Sequence, residues 1–250
     1  MFRLLKALSL TLTLASVSIF ATGCGSSSQS QVRVVHAIPD GPALDVDVNG
    51  TKITTAALSF GGVQPTPPAY TKVASGNVTI QAFDTGTTTN PIFGANGVTA
   101  NLSGSSQYTI VLAGFLNGTG NNALAVLQKT DNNSAPTSGN VEFRIIHASP
   151  SASPNTPFAV DVYIVPPGTD ITQVNPPTIQ GLVYQQASNP YTSVAAGTYS
   201  VIVTTSGSKT PLISPQDFPL PQAGMIRTLV LVDNLGGGNP PSWLELSDLN

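Results

Sequence analysis

One block of sequence occurs twice, and this repetition limits the fold more than any other feature of the chain. Val32-Arg33-Val34-Val35-His36-Ala37-Ile38-Pro39 aligns with Phe143-Arg144-Ile145-Ile146-His147-Ala148-Ser149-Pro150, 111 residues later. Ala43-Leu44-Asp45-Val46 aligns with Ala159-Val160-Asp161-Val162 at an offset of 116. Tyr70-Thr71-Lys72-Val73 aligns with Tyr191-Thr192-Ser193-Val194 at 121, and Tyr108-Thr109-Ile110-Val111-Leu112 with Arg227-Thr228-Leu229-Val230-Leu231 at 119. Four blocks in the same order, with offsets that drift only through loop insertions, read as a tandem duplication. Asp131 to Asn140 is polar and rich in breakers, hence a linker. The reading gives repeats over 32–130 and 141–250, joined by 131–140.

Within each repeat the apolar residues recur with a period of two. Val32, Val34 and His36 share one strand face, and Arg33, Val35 and Ala37 the other. Leu44, Val46 and Val48 alternate with Asp45, Asp47 and Asn49. Further strands are predicted near 51–58, 76–83, 98–103, 106–114 and 123–129, then near 178–184, 212–219, 225–233 and 242–247. Charged residues make only 8% of the chain, so the Glu and Lys that favour long helices are scarce. No basic field is available for a nucleic acid. The predicted fold is all-β: two tandem antiparallel β-sandwich domains, Ig-like or prealbumin-like, preceded by a signal peptide.

The leader is a secretory address. Arg3 and Lys6 form a positive start, and Ala7 to Phe20 is an apolar run too short to span a bilayer comfortably. Ala21-Thr22-Gly23-Cys24 resembles the lipobox of bacterial lipoproteins, in which the cysteine is lipidated and becomes the new N-terminus. That resemblance implies a signal peptide over 1–23, a palmitate-type lipid on Cys24 and a membrane partner. Gly25 in place of Asp implies, by the same likeness, transfer to the outer membrane. Residues 24–31 read as a flexible tether.

The repeat head Val32 to Val46, Val-Arg-Val-Val-His-Ala-x-Pro-Asp-x-Pro-Ala-x-Asp-Val, resembles the bacterial domain-of-unknown-function 4397 family. The resemblance implies a secreted or surface-anchored protein, often with tandem copies, and carries no established activity. The second copy departs from the pattern at Ser151, which stands where the first has Asp40.

Candidate chemistry is sparse. His36 and His147 occupy equivalent positions, and with Asp40 they are the possible binding residues. A zinc site wants three or four ligands, so each histidine is expected instead to bond the backbone of the following turn. Asp45-Val46-Asp47-Val48-Asn49-Gly50 opens like a calcium loop, but Ala56 stands where the bidentate acid belongs. Tyr70, Tyr108, Tyr163, Tyr184, Tyr191 and Tyr199 suit strand packing more than sugar stacking. No metal, cofactor or catalytic group is assigned. The arginines and aspartates of the repeat heads are expected to pair as Arg33–Asp45 and Arg144–Asp161 across a hairpin, pinning strand register. The function expected is a lipid-anchored, non-enzymatic structural, adhesion or binding module of the cell envelope, with an envelope polysaccharide or surface protein as partner. The alternative is a carbohydrate-binding accessory or an envelope hydrolase acting through exposed loops.

Overall fold

A computed structural model describes residues 28–152 and 159–248, so the leader, Cys24 and most of the tether lie outside the described residues. The N-terminal half contains β1 (Gln29–Ala37), β2 (Leu44–Val48), β3 (Thr51–Lys52), β4 (Val63–Gln64), β5 (Thr71–Ala74), β6 (Gly76–Asp84), β7 (Val98–Leu102), β8 (Gln107–Ala113) and β9 (Ala125–Thr130). The C-terminal half contains β10 (Asn140–His147), β11 (Ala159–Val165), β12 (Ile179–Val183), β13 (Thr192–Ala195), β14 (Gly197–Thr205), β15 (Gln216–Leu220), β16 (Ile226–Val232) and β17 (Ser242–Ser247). The helical pieces among the described residues are single 3₁₀ turns.

Each half is a sandwich of two sheets. In the first, β4-β1-β8-β9, with β5 also on β1, faces β3-β2-β6-β7; in the second, β13-β10-β16-β17 faces β12-β11-β14-β15. The repeated sequence blocks fall on equivalent strands of these two sets. Pairing is antiparallel except in one place per half: β1 runs parallel to β8, and β10 parallel to β16. The segment predicted as a strand over 51–58 is mostly loop; only Thr51–Lys52 pairs as a strand, and Leu58 makes a lone bridge to Leu44.

The period-two pattern explains the layering. Val32, Val34, Leu44, Val46, Ile80 and Ile110 point between the sheets of the first sandwich, and Phe143, Ile145, Val160, Val162, Val203 and Leu229 between those of the second. The alternate residues are buried too. Val35, Ala37, Val111, Ala113 and Leu127 meet Ile146, Ala148, Val230, Val232 and Leu246 in a third apolar cluster. The β1 sheet and the β10 sheet therefore pack on each other through their outer faces, giving four β layers in series. Burying an aliphatic side chain fully contributes about 1.5–3 kcal/mol, so this contact holds the halves together independently of the connecting segment.

That connection is exposed at Ser134, Ala135, Thr137 and Ser138. Limited proteolysis is expected to cut there and to leave two fragments that co-elute in gel filtration under native conditions. Fragments that separate without denaturant would contradict a packed seam.

Candidate functional site

Charge is concentrated inside the seam between the halves. Parallel pairing sets Arg33 beside Thr109 and Arg144 beside Thr228. Each Arg Nε donates to its neighbouring threonine, at 2.9 Å for Arg33 to Thr109 and 3.0 Å for Arg144 to Thr228. Each guanidinium also reaches the other half's acid, while Arg33 Nη2 lies 3.6 Å from Asp131 of its own half and Arg144 Nη2 donates to Thr109 at 3.1 Å. Arg33 Nη2 donates to Asp248 Oδ1, and Arg33 Nη1 to the Ser247 carbonyl at 3.1 Å. Arg144 Nη1 lies 2.7 Å from Asp131 Oδ1 and donates to the Thr130 carbonyl at 3.1 Å. Thr109 Oγ1 donates to Asp131, and Thr228 Oγ1 to Asp248 at 2.8 Å. Tyr70 and Tyr191 lie over Arg33 and Arg144, each ring centre 5.1 Å from the guanidinium carbon.

The arrangement is reciprocal. Arg33, Thr109, Asp131 and Tyr70 in one half correspond to Arg144, Thr228, Asp248 and Tyr191 in the other, and each arginine binds the opposite half's terminal-strand backbone. Both arginines are sealed, with Arg33 fully buried and Arg144 1% exposed. Two cations and two anions balance. Burial opposes the charge on Arg144, but Asp131, Tyr191 and Asp248 outweigh it and hold its pKa above the ordinary value. Burial also lifts the Tyr191 hydroxyl to about 12, so it stays protonated at neutral pH. Every guanidinium nitrogen has a partner within the seam, so the cluster works as a lock, with Arg144 and Asp131 bordering an adjoining cleft.

The expected pairs Arg33–Asp45 and Arg144–Asp161 do not form. All four side chains do point away from their sandwich core, but β1 and β2 belong to opposite sheets, as do β10 and β11. The arginines face the seam and the aspartates the far sides. Asp45 accepts from the Gly86 N–H at 2.9 Å and pairs with Lys52 at 2.8 Å. The Gly86 bond, then Lys52, holds its carboxyl below the usual range. Asp161 accepts from Gly181 N–H at 2.7 Å, Gly207 N–H at 2.8 Å and Ser206 Oγ at 3.2 Å. Gly86 and Gly207 have φ of 81° and 80°, left-handed values that favour glycine. Both aspartates thus fasten the turn that follows the neighbouring strand.

The histidines face the cores. His36 Nε2 donates to the Pro42 carbonyl at 2.8 Å, and its Nδ1 accepts from Ile38 N–H at 3.2 Å, which defines a neutral imidazole. His147 Nδ1 accepts from Ser149 N–H at 3.4 Å, and its ring meets Tyr184 edge-on. Asp40 turns away from His36 and accepts from Leu116 N–H at 3.1 Å. In the other half the acid has moved: Asp233, fully buried, accepts from Ser149 and Ser151 hydroxyls. Among the described residues no three His, Cys, Asp or Glu side chains gather as a metal site would require.

Sequence reasoning missed Asp131 and Asp248. Composition placed Asp131 at the start of a linker, yet its side chain is buried. The two acids stand 117 residues apart, in the same offset series as the repeated blocks, and that spacing was the available signal.

Beside the lock lies an open cleft of about 440 Å³, formed by Gln128–Asn132 of one half and Gln186–Tyr191 of the other. It is the candidate ligand site, and Lys129 stands in its wall with Nζ donating to the Gln185 carbonyl at 2.7 Å.

Arg144→Ala removes one partner of a buried pair and leaves Asp131 with the Tyr70 and Thr109 hydroxyls and the more distant Arg33. It is expected to destabilise the protein by about 3–5 kcal/mol in denaturant unfolding; a change under about 1 kcal/mol would show that the lock is solvated. Burial holds His36 below its ordinary 6.5, against the Pro42 bond that favours the charged form. The folded chain then binds fewer protons than the unfolded one, so the stability tied to His36 is complete above 6.5 and declines as pH falls toward the folded value. An NMR titration is expected to give His36 a midpoint below 6.5, and one at or above it would contradict the buried neutral ring.

No curated protein sequence matches the chain. A family 26 carbohydrate-binding module of Amy13K from Eubacterium rectale, solved in complex with maltoheptaose, is similar over 86% of this chain and 95% of its own, at 10% identity and a TM-score of 0.27. The sequence model of the family described as "Domain of unknown function (DUF4397)" matches residues 30–163, running from β1 across the junction to β11 and so including Arg33, Asp131 and Arg144. That match covers more than half of the sequence, and the chain belongs to the DUF4397 family.

Proposed function

We propose that this protein is a rigid, lipid-anchored module of the bacterial cell envelope, built by duplication of one sandwich and serving structure, adhesion or binding rather than catalysis. The observation that carries the reading is the reciprocal lock. The conspicuous polar groups of the repeat heads all serve the architecture: Arg33 and Arg144 close the seam, Asp45 and Asp161 fasten turns, and His36 and His147 bond the backbone. A seam closed from both sides suits a part that must hold its shape at the end of a tether. Cys24 would supply attachment, at the outer membrane given Gly25, and the residues up to Gln31 the reach. No helix among the described residues is long and apolar enough to cross a membrane.

The amide-lined cleft favours a polysaccharide as the binding partner over a second protein surface, because paired amide donors and acceptors match sugar hydroxyls. A carbohydrate-binding accessory is therefore the second reading.

Growth with an alkyne fatty acid, followed by click detection, tests the anchor. Wild type is expected to be labelled and to partition with membranes, while Cys24→Ser is unlabelled. Equal labelling of the two would overturn the lipoprotein reading.

A further inference from the structure

The two halves share the arginine, threonine, aspartate and tyrosine of the lock but differ beside it. In the β8–β9 pair Thr109 stands opposite Lys129, and in the β16–β17 pair Thr228 stands opposite Leu246. Leu246 is fully buried in the apolar cluster of the seam. The fold therefore accepts a plain apolar side chain at this register, and the lock does not require a cation there.

Lys129 is nonetheless half-buried, and the ion pairs among the described residues give it no carboxylate. The acid nearest in sequence, Asp131, is already engaged by Arg144, Thr109 and Tyr70. Charges within the lock cancel, so Lys129 leaves the cleft with one positive charge. Its pKa is pulled down by burial first and by Arg144 second. A partly desolvated, unpaired ammonium is costly unless something answers it. Its one bond, to the Gln185 carbonyl, leaves two of three ammonium protons unused.

What surrounds it narrows the answer. The cleft of about 440 Å³ falls in the usual range for small-ligand sites. Asn132, Gln186, Asn189 and the Tyr191 hydroxyl share it with Lys129, and Asn189 and Gln186 are exposed. Tyr191 accepts from the Asn132 N–H at 3.2 Å, which leaves its own proton to donate. Neutral hydrogen-bonding groups and the balanced Arg144–Asp131 pair around one uncompensated cation fit a ligand with many hydroxyls and one acid.

We infer that this cleft binds a carboxylate-bearing saccharide, with Lys129 taking the carboxylate and the amides and Tyr191 the ring hydroxyls. The inference deepens the polysaccharide reading and rests on it for the class of partner. A free phosphate shares the anionic chemistry and is separated by the test.

The test is calorimetric titration of the detergent-solubilised protein with oligogalacturonate, with maltoheptaose as the neutral control and inorganic phosphate as the anion control. Lys129→Met is the variant, since Leu246 shows that an apolar side chain is accepted at this register. Wild type is expected to bind the uronate, and Lys129→Met to lose about tenfold or more in affinity with thermal stability equal or higher. Maltoheptaose bound as tightly as the uronate, or uronate binding that survives Lys129→Met, would overturn the assignment, and no binding of either saccharide would overturn the polysaccharide reading with it. Binding of phosphate without the uronate would overturn the saccharide. Fatty-acid labelling at Cys24 does not involve this cleft, so failure here leaves the anchor reading standing.

Discussion

A guanidinium sealed from water needs carboxylates to answer it, and in this protein each arginine finds its answer in the other half of the chain. Moving an ion from water into a protein interior costs several kcal/mol, recovered only with good geometry and complete hydrogen bonding. Arg33 and Arg144 obtain both only when the halves are docked. Separated, each half would expose a strip of Val35, Val111 and Leu127, or of Ile146, Val230 and Leu246; Arg144 would lose Asp131, and Arg33 would lose Asp248 and keep only the Asp131 oxygen 3.6 Å away. Apolar contact supplies the driving force for docking, while the charges fix its register, because a slip of one residue along a strand would turn Arg33 or Arg144 into its sandwich core.

Much of this architecture was legible in the chain. Period-two alternation placed Val32 and Val34 on one face and Arg33 and Val35 on the other, and both assignments hold. The aligned sequence blocks fall on corresponding strands of the two halves. What the alternation does not encode is which sheet a strand joins. The short connection Ile38 to Ala43 serves a hairpin or a crossing between sheets equally well, and it crosses. Arg33 and Asp45 therefore share an outward direction but lie on opposite sides of the sandwich. Asp131 was hidden for a different reason: it follows β9 directly and begins a polar stretch, so composition resembles a loop although the residue is buried. Local pattern reports the face of a strand, not the distant partner that covers it.

Differences between the two halves at corresponding strand positions are informative too. Ser151 in place of Asp40 accompanies a relocated acid at Asp233, so that difference is compensated inside the same loop cluster. Lys129 in place of a residue like Leu246 has no such compensation among the described residues. One half of the seam is thus closed by apolar packing, and the other opens into a polar cleft beside a lock that keeps its walls in place. A binding surface built from two halves needs their relative position fixed, which links the buried charges to the function proposed.

The claim that the reciprocal lock makes two sandwiches behave as one unit is tested most directly by scanning calorimetry of wild type beside the double variant Arg33→Met, Arg144→Met. Wild type is predicted to unfold in a single transition whose calorimetric and van't Hoff enthalpies agree. The double variant leaves Asp131 and Asp248 unanswered and is predicted to resolve into two transitions, one for each sandwich. Two transitions in wild type, or one unshifted transition in the variant, would contradict the account.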